Sequence, residues 1–284
     1  MRIAIASGKG GTGKTLVATN LAWMLARDGV ETVYVDCDVE APNGQLFLHP
    51  DHLVSERVSQ PLAALSTPTC SGCGECQRFC AFNAILALGD KVLVFPELCH
   101  ACGGCMRVCP EGVLKEIPRE TGTVIMGRAR QVTFLAGRLD VGEPRAAPVI
   151  EAVLAAAPRT GVVVVDAPPG TSCSAVAAVR GADHVVLVTE PTPFGLHDLE
   201  LAVEMCRSVG ARLSAVINRS DLGDAPVRSY LLRENIPIVA EIPFDRTLST
   251  AYAAGELAAR QSVPLRRELG RLAEALMAQH AEAA

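Results

Sequence analysis

Two groups of residues in this 284-residue chain have the types and spacing to do chemistry. The first is Gly8-Lys9-Gly10-Gly11-Thr12-Gly13-Lys14-Thr15, which follows the apolar run Ile3–Ala6 and leads into Leu16–Arg27. Gly8 and Gly13-Lys14-Thr15 complete the pattern G-x-x-x-x-G-K-[ST], between a strand and a helix N-terminus. The glycines let successive backbone N–H groups turn inward around phosphate oxygens, and the helix dipole adds partial positive charge. Lys14 would neutralise β- and γ-phosphates, and the Thr15 hydroxyl would ligate Mg²⁺. The second group is eight cysteines, Cys70-x2-Cys73-x2-Cys76-x3-Cys80 and Cys99-x2-Cys102-x2-Cys105-x3-Cys109-Pro110.

Each cysteine run has bacterial ferredoxin spacing. The x2 steps let a tight loop aim three thiolates at one iron–sulfur cube, and a short helix carries the fourth cysteine to the other. The expected ligand sets are Cys70, Cys73, Cys76 and Cys109 for one 4Fe-4S cluster, and Cys80, Cys99, Cys102 and Cys105 for the second. Gly72, Gly74, Gly103 and Gly104 allow the backbone close to the clusters. Ala81 departs from the proline usual after the fourth cysteine, which weakens a helix stop but not the ligation. Paired Cys₄ zinc sites are the alternative, but zinc needs neither the third close cysteine nor the x3 step. A disulfide scaffold is the other. Of the remaining cysteines, Cys206 falls on a helix's apolar stripe, and Cys37 and Cys173 read as small buried residues.

The chain must position these groups on a large core. It is 49% hydrophobic and only 4% aromatic, a composition that suits a parallel sheet wrapped by helices. The net charge of −5 offers no basic footprint for nucleic acid. No apolar run reaches membrane-spanning length, and the N-terminus lacks a charged lead and cleavage site. A cytoplasmic location is therefore expected. Strands are predicted at Met1–Ser7, Thr32–Asp36, Val162–Val165, Val185–Thr189, Leu213–Ile217 and Ile236–Val239. Helices are predicted at Thr15–Asp28, Leu196–Val209 and Leu265–His280. This alternation predicts an α/β fold with a doubly wound parallel sheet, whose ligands gather at the C-terminal strand ends. Asp36, Asp166 and Asn218 fall at such ends. The composition shift at 66–118 marks a small inserted α+β unit of bacterial ferredoxin type, between a first part (1–65) and a second part (119–284) of the larger domain.

Lys9 is a second lysine in the glycine-rich loop, and a generic phosphate loop does not require it. With it, Gly8–Thr15 resembles the deviant Walker motif of the MinD/ParA/Mrp/nitrogenase-iron-protein group. Glu190-Pro191-Thr192-Pro193-Phe194-Gly195-Leu196 narrows the resemblance to MinD-superfamily P-loop ATPases with an inserted ferredoxin domain. The resemblance implies a MinD-like P-loop NTPase fold, Mg²⁺-dependent ATP hydrolysis and a nucleotide-sandwich dimer, either a homodimer or a heterodimer of paralogues. Lys9 would reach the partner's phosphates, Asp38 would orient the attacking water, and Asp36 and Asp166 would hold the Mg²⁺ shell. Asn43 would line the first switch. The Gly170 N–H, in Asp166-Ala167-Pro168-Pro169-Gly170-Thr171, would sense the γ-phosphate. Asn218 would read the adenine edge, and Pro243-Phe244-Asp245 would close over the base.

Three functions compete. An ATP-gated redox protein would pass electrons through the clusters to a partner. A cluster carrier or maturation factor of the Mrp type would hand clusters to apo-proteins. A MinD/ParA-like spatial regulator would assemble on membrane or nucleoid. Against the last stand the negative charge and the terminal helix, where Glu268 and Glu274 dilute the basic face and core packing explains Leu265, Leu269, Leu272 and Leu276.

Overall fold

The computed structural model describes residues 1–66, 70–223 and 225–281, so residues 67–69 of the expected insertion lie outside the described residues. The chain opens with β1 (Arg2–Ala6), α1 (Lys14–Arg27), β2 (Thr32–Asp36) and α2 (Gln45–Leu48). An excursion follows, through β3 (Asp51–Leu65), α3 (Glu75–Phe79), β4 (Ile85–Leu88), β5 (Lys91–Val94), α4 (Gly104–Arg107) and β6 (Leu114–Ala129). The chain returns through β7 (Val132–Leu139), α5 (Ala147–Ala156), β8 (Val162–Asp166), α6 (Cys173–Val179), β9 (His184–Thr189) and α7 (Pro193–Ser208). It closes with β10 (Leu213–Asn218), α8 (Pro226–Arg233), β11 (Ile238–Ile242), α9 (Arg246–Ala253) and α10 (Val263–Ala281).

Nine strands form one sheet in the order β11-β10-β9-β1-β8-β2-β7-β6-β3. The first seven pair in parallel. Every residue of β2, β8 and β9 is buried, as near-continuous apolar runs require when helices cover both faces. Helices α1, α9 and α10 pack on one face, and α5 to α8 on the other. Leu265, Leu269, Leu272 and Leu276 of α10 are all within the core. Among the described residues no helix is long and apolar enough to cross a membrane.

The sheet departs from the all-parallel expectation at one edge, where β6 and β3 are antiparallel. Neither strand was predicted from sequence, because Pro61 and Pro118 interrupt them. The two prolines are direct register partners. Pairing of β6 with β7 covers only Gly122–Ala129, so Pro118 lies where β6 has β3 alone beside it. There a missing N–H sacrifices no inner ladder bond. The two strands thus run past the sheet as a free ribbon that carries the cysteine-rich unit at its tip. The expected boundary at 118/119 falls inside β6.

The ribbon is fixed at its root. Its register shifts by one residue opposite Val58 and Ser59, leaving Thr121 as a fully buried bulge. Arg119 of β6 reaches the buried Glu143 at 2.6 Å, and Arg145 approaches the same carboxylate at 3.4 Å. On the exposed side, Arg57 of β3 bonds Glu120, Thr123 and Asp140. The Leu139 N–H also donates to the carbonyl of Val39 at 2.8 Å, tying the end of β7 to the loop after β2.

Removing the buried carboxylate would strand two arginines. Glu143→Ala should destabilise the fold by about 3 kcal/mol, measured by chemical denaturation. Arg57→Ala, which breaks an exposed pair, should move the denaturation midpoint far less.

Candidate functional site

The loop between β1 and α1 closes on Gly13, whose φ of 99° lies in the left-handed region open to glycine. A Cβ there would also stand 2.5 Å from Asn218 Nδ2. Gly8 is required for a different reason: a Cβ would overlap the carbonyl of Asp198, where α7 presses on the loop. Gly10, Gly11, Gly13, Lys14 and Thr15 line a cleft of about 320 Å³ at the C-terminal ends of β1, β2, β8 and β10. Asp38, Asn43 and Pro169 line it on the switch side, and Asn218, Pro243, Phe244 and Asp245 on the other. The structure adds Arg219, Leu248, Ser249 and Tyr252, none of which carried a sequence signal. Thr12 is buried beneath the loop and does not line the cleft. Asp245 also caps α9, accepting the Thr247 N–H at 2.8 Å.

Two buried carboxylates organise the inner wall. Asp36 and Asp166 are register partners on β2 and β8. Asp36 accepts the backbone N–H groups of Asp38 (3.2 Å), Asn43 (3.0 Å) and Gly44 (2.8 Å). Burial and the neighbouring Asp166 nonetheless push its pKa well above the ordinary carboxylate range. Both Asp36 oxygens thus accept backbone N–H groups of the loop that follows β2.

Asp166 accepts the Tyr34 hydroxyl on Oδ2 at 3.0 Å, while its Oδ1 is buried without a hydrogen-bond partner. Burial pushes the Asp166 pKa up to about 6, against the pull of the Thr15 hydroxyl and the Lys14 ammonium. An orphaned carboxylate oxygen beside Thr15 fits a hard cation with oxygen ligands. Lys14 is itself buried, which lowers its pKa against the pull of Asp166 and Asp38. Asp38 is half-buried at the mouth, and its pKa is raised by desolvation against the counter-pull of Lys14.

Three expected ligand-facing groups are engaged within the chain. Asn218 donates Nδ2 to the Thr12 carbonyl at 2.8 Å and accepts the Arg219 N–H on Oδ1. It braces the phosphate loop, which leaves one amide proton for a base. The Gly170 N–H donates to the Ser7 carbonyl at 3.0 Å. Lys9 Nζ stands 3.9 Å from Glu190, whose other oxygen pairs with Arg219 at 2.8 Å.

At the ribbon tip, the thiols sort crosswise. Cys70, Cys73 and Cys76 share a small cavity, about 10 Å³, with Cys109. Cys99, Cys102 and Cys105 share one of about 170 Å³ with Cys80. The halves repeat at a constant offset, Cys70 with Cys99 and Ile85 with Leu114. Positive φ recurs at the same offset, at Gly72 and Ala101, Gly74 and Gly103, and Asn83 and Gly112. Such turns bring backbone N–H groups to sulfur: Gly72 N–H donates to Cys70 Sγ and Ala84 N–H to Cys80 Sγ, each at 3.4 Å. Among the described residues no three His, Cys, Asp or Glu side chains converge as a single metal ion would require. The larger cavity has room for a group bigger than one ion, and the smaller one does not. Cys37 and Cys206 are buried, and Cys173 is exposed, contrary to expectation.

A glycine-rich loop opening the first helix, on a parallel sheet with acidic strand ends, defines a P-loop nucleoside-triphosphate-binding protein. Residues 3–258 match the CobQ/CobB/MinD/ParA nucleotide binding domain, and the chain belongs to that family. An uncharacterised protein of Methanocaldococcus jannaschii is 31% identical over 86% of this chain and 85% of its own. An iron-sulfur cluster carrier protein of Pyrococcus horikoshii is 23% identical over 97% of this chain and 85% of its own. Among solved structures, the septum site-determining protein MinD of Pyrococcus horikoshii, complexed with Mg-ADP, superposes with a TM-score of 0.61. That match covers 97% of this chain and 95% of the other at 19% identity, a likeness of fold.

Gly13→Ala should abolish ATP binding in a filter or calorimetric assay, since it strains the loop and displaces Asn218. Protonation of Asp166, whose pKa burial pushes up to about 6, removes the charge that would attract Mg²⁺. Mg²⁺-dependent nucleotide affinity should therefore fall as pH drops through 6 at limiting Mg²⁺. The acid limb should move to lower pH as Mg²⁺ is raised and competes for the same oxygen.

Proposed function

We propose that the chain is an ATP-hydrolysing iron–sulfur protein in which nucleotide state gates electron transfer to a partner through two 4Fe-4S clusters. The observation that carries this reading is the crosswise sorting of the eight thiols into two cavities on a ribbon rooted beside the switch loop. Cys70, Cys73, Cys76 and Cys109 would hold one cluster, and Cys80, Cys99, Cys102 and Cys105 the other. Bound clusters would supply one-electron chemistry.

In the nucleotide cleft, Lys14 and the loop N–H groups bind the phosphates, and Thr15 and Asp166 meet Mg²⁺. Asp38, at the cleft mouth, orients the attacking water. Lys9 leaves Glu190 to reach the phosphates of a second subunit, where its charge stabilises the negative charge that develops as the γ-phosphoryl group passes from ADP to water. That subunit is a copy of this chain or a paralogue. Gly170 exchanges the Ser7 carbonyl for the γ-phosphate. The Val39–Leu139 hydrogen bond supports the gating, because it joins the switch loop to the strand next to the ribbon. The name of the Pyrococcus horikoshii relative supports a second reading, in which the clusters are cargo handed to apo-proteins.

Anaerobic iron and sulfide analysis with EPR separates these readings. The gated reading expects about eight irons per chain and a dithionite-reduced spectrum that changes with Mg-ATP. Lys14→Ala or Lys9→Ala should abolish that response while leaving the iron content intact. Transfer of intact clusters to an apo-ferredoxin would favour the carrier reading. Stoichiometric zinc in place of iron would overturn both.

A further inference from the structure

Tyr34 sits on β2 two residues before Asp36, so both side chains lie on the same face of the sheet. It is fully buried, and its ring stacks on Phe134 with centroids 5.8 Å apart. A phenylalanine would satisfy that packing, and a buried hydroxyl costs desolvation unless it is bonded. The hydroxyl is bonded to Asp166 Oδ2 at 3.0 Å, diagonally across the β2–β8 pair. The backbone of Gly44 rides directly on the phenol, so that a Cβ at Gly44 would overlap the hydroxyl. Gly44 is in turn bound through its N–H to Asp36. One side chain thus touches both the loop that Asp36 folds and the carboxylate that ends β8.

We infer that Tyr34 is a positioning residue for the metal shell: its hydroxyl occupies one oxygen of Asp166 and leaves the other free beside Thr15 and Lys14. The inference deepens the Mg-ATP reading of the cleft and rests on it. Without the hydroxyl, the carboxylate is free to rotate or to offer both oxygens, and the geometry presented to a cation is no longer single.

The test is Tyr34→Phe in the full chain, with Mn²⁺ titrated into protein loaded with a non-hydrolysable ATP analogue and followed by Mn²⁺ EPR. Loss of one hydrogen bond to a charged group should weaken Mn²⁺ binding on the order of tenfold. The Mg²⁺ needed for half-maximal hydrolysis should rise in step, while KM for ATP at saturating Mg²⁺ stays within about twofold. Phe134→Leu loosens the ring stack but keeps the hydroxyl, and should lower the melting temperature without moving Mn²⁺ affinity. Wild-type Mn²⁺ affinity in Tyr34→Phe, or an equal loss in Phe134→Leu, would overturn the inference. A wild-type chain that fails to bind Mn²⁺ with the analogue would sink the nucleotide reading itself, and this inference with it.

Discussion

Two carboxylates buried side by side in a parallel sheet are the constraint that the rest of the cleft answers. Asp36 and Asp166 are register partners, and both are buried. Like charges in so dry a place must be matched by donors or give up ionisation. The chain resolves the conflict asymmetrically. Asp36 collects three backbone N–H groups and thereby folds the loop from Asp38 to Gly44 over the strand end. Asp166 receives one phenol and keeps an oxygen unsatisfied. The first carboxylate folds a loop, and the second keeps one buried oxygen without a hydrogen-bond partner.

The same strand ends determine what can be attached to them. Switch loop, β7 and ribbon are in direct sequence of contact, from Val39 to Leu139 and on to Asp140, Arg57 and Glu120. The buried Glu143 cluster and the bulge at Thr121 tie the ribbon root to the sheet. The tip unit is accordingly carried between two strands of the main sheet.

Much of this was legible in the residues. The phosphate loop depends on glycines and one lysine at fixed spacing, all local. The crosswise grouping of thiols follows from a three-residue step that turns the fourth cysteine away from its own run. The parallel core announces itself through valine runs such as Val162–Val165. What was hidden depends on partners distant in sequence. Pro61 and Pro118 argue against strands until they are seen opposite each other in a two-stranded ribbon. The bond from Tyr34 to Asp166 and that from Asn218 to the Thr12 carbonyl each join residues more than a hundred positions apart. Cys173 reads as small and buried, but at the start of α6 it is exposed while Ala175 turns inward.

The exchange of Cys80 and Cys109 between the two halves has a consequence for biosynthesis. The cavity around Cys70 is completed only by a residue near the end of the second run, so the first half cannot complete it alone. Until the ribosome has released Cys109, seven of the eight thiols exist with neither cavity walled by its return strand β6. Both cavities are therefore walled only once the chain has passed into β6.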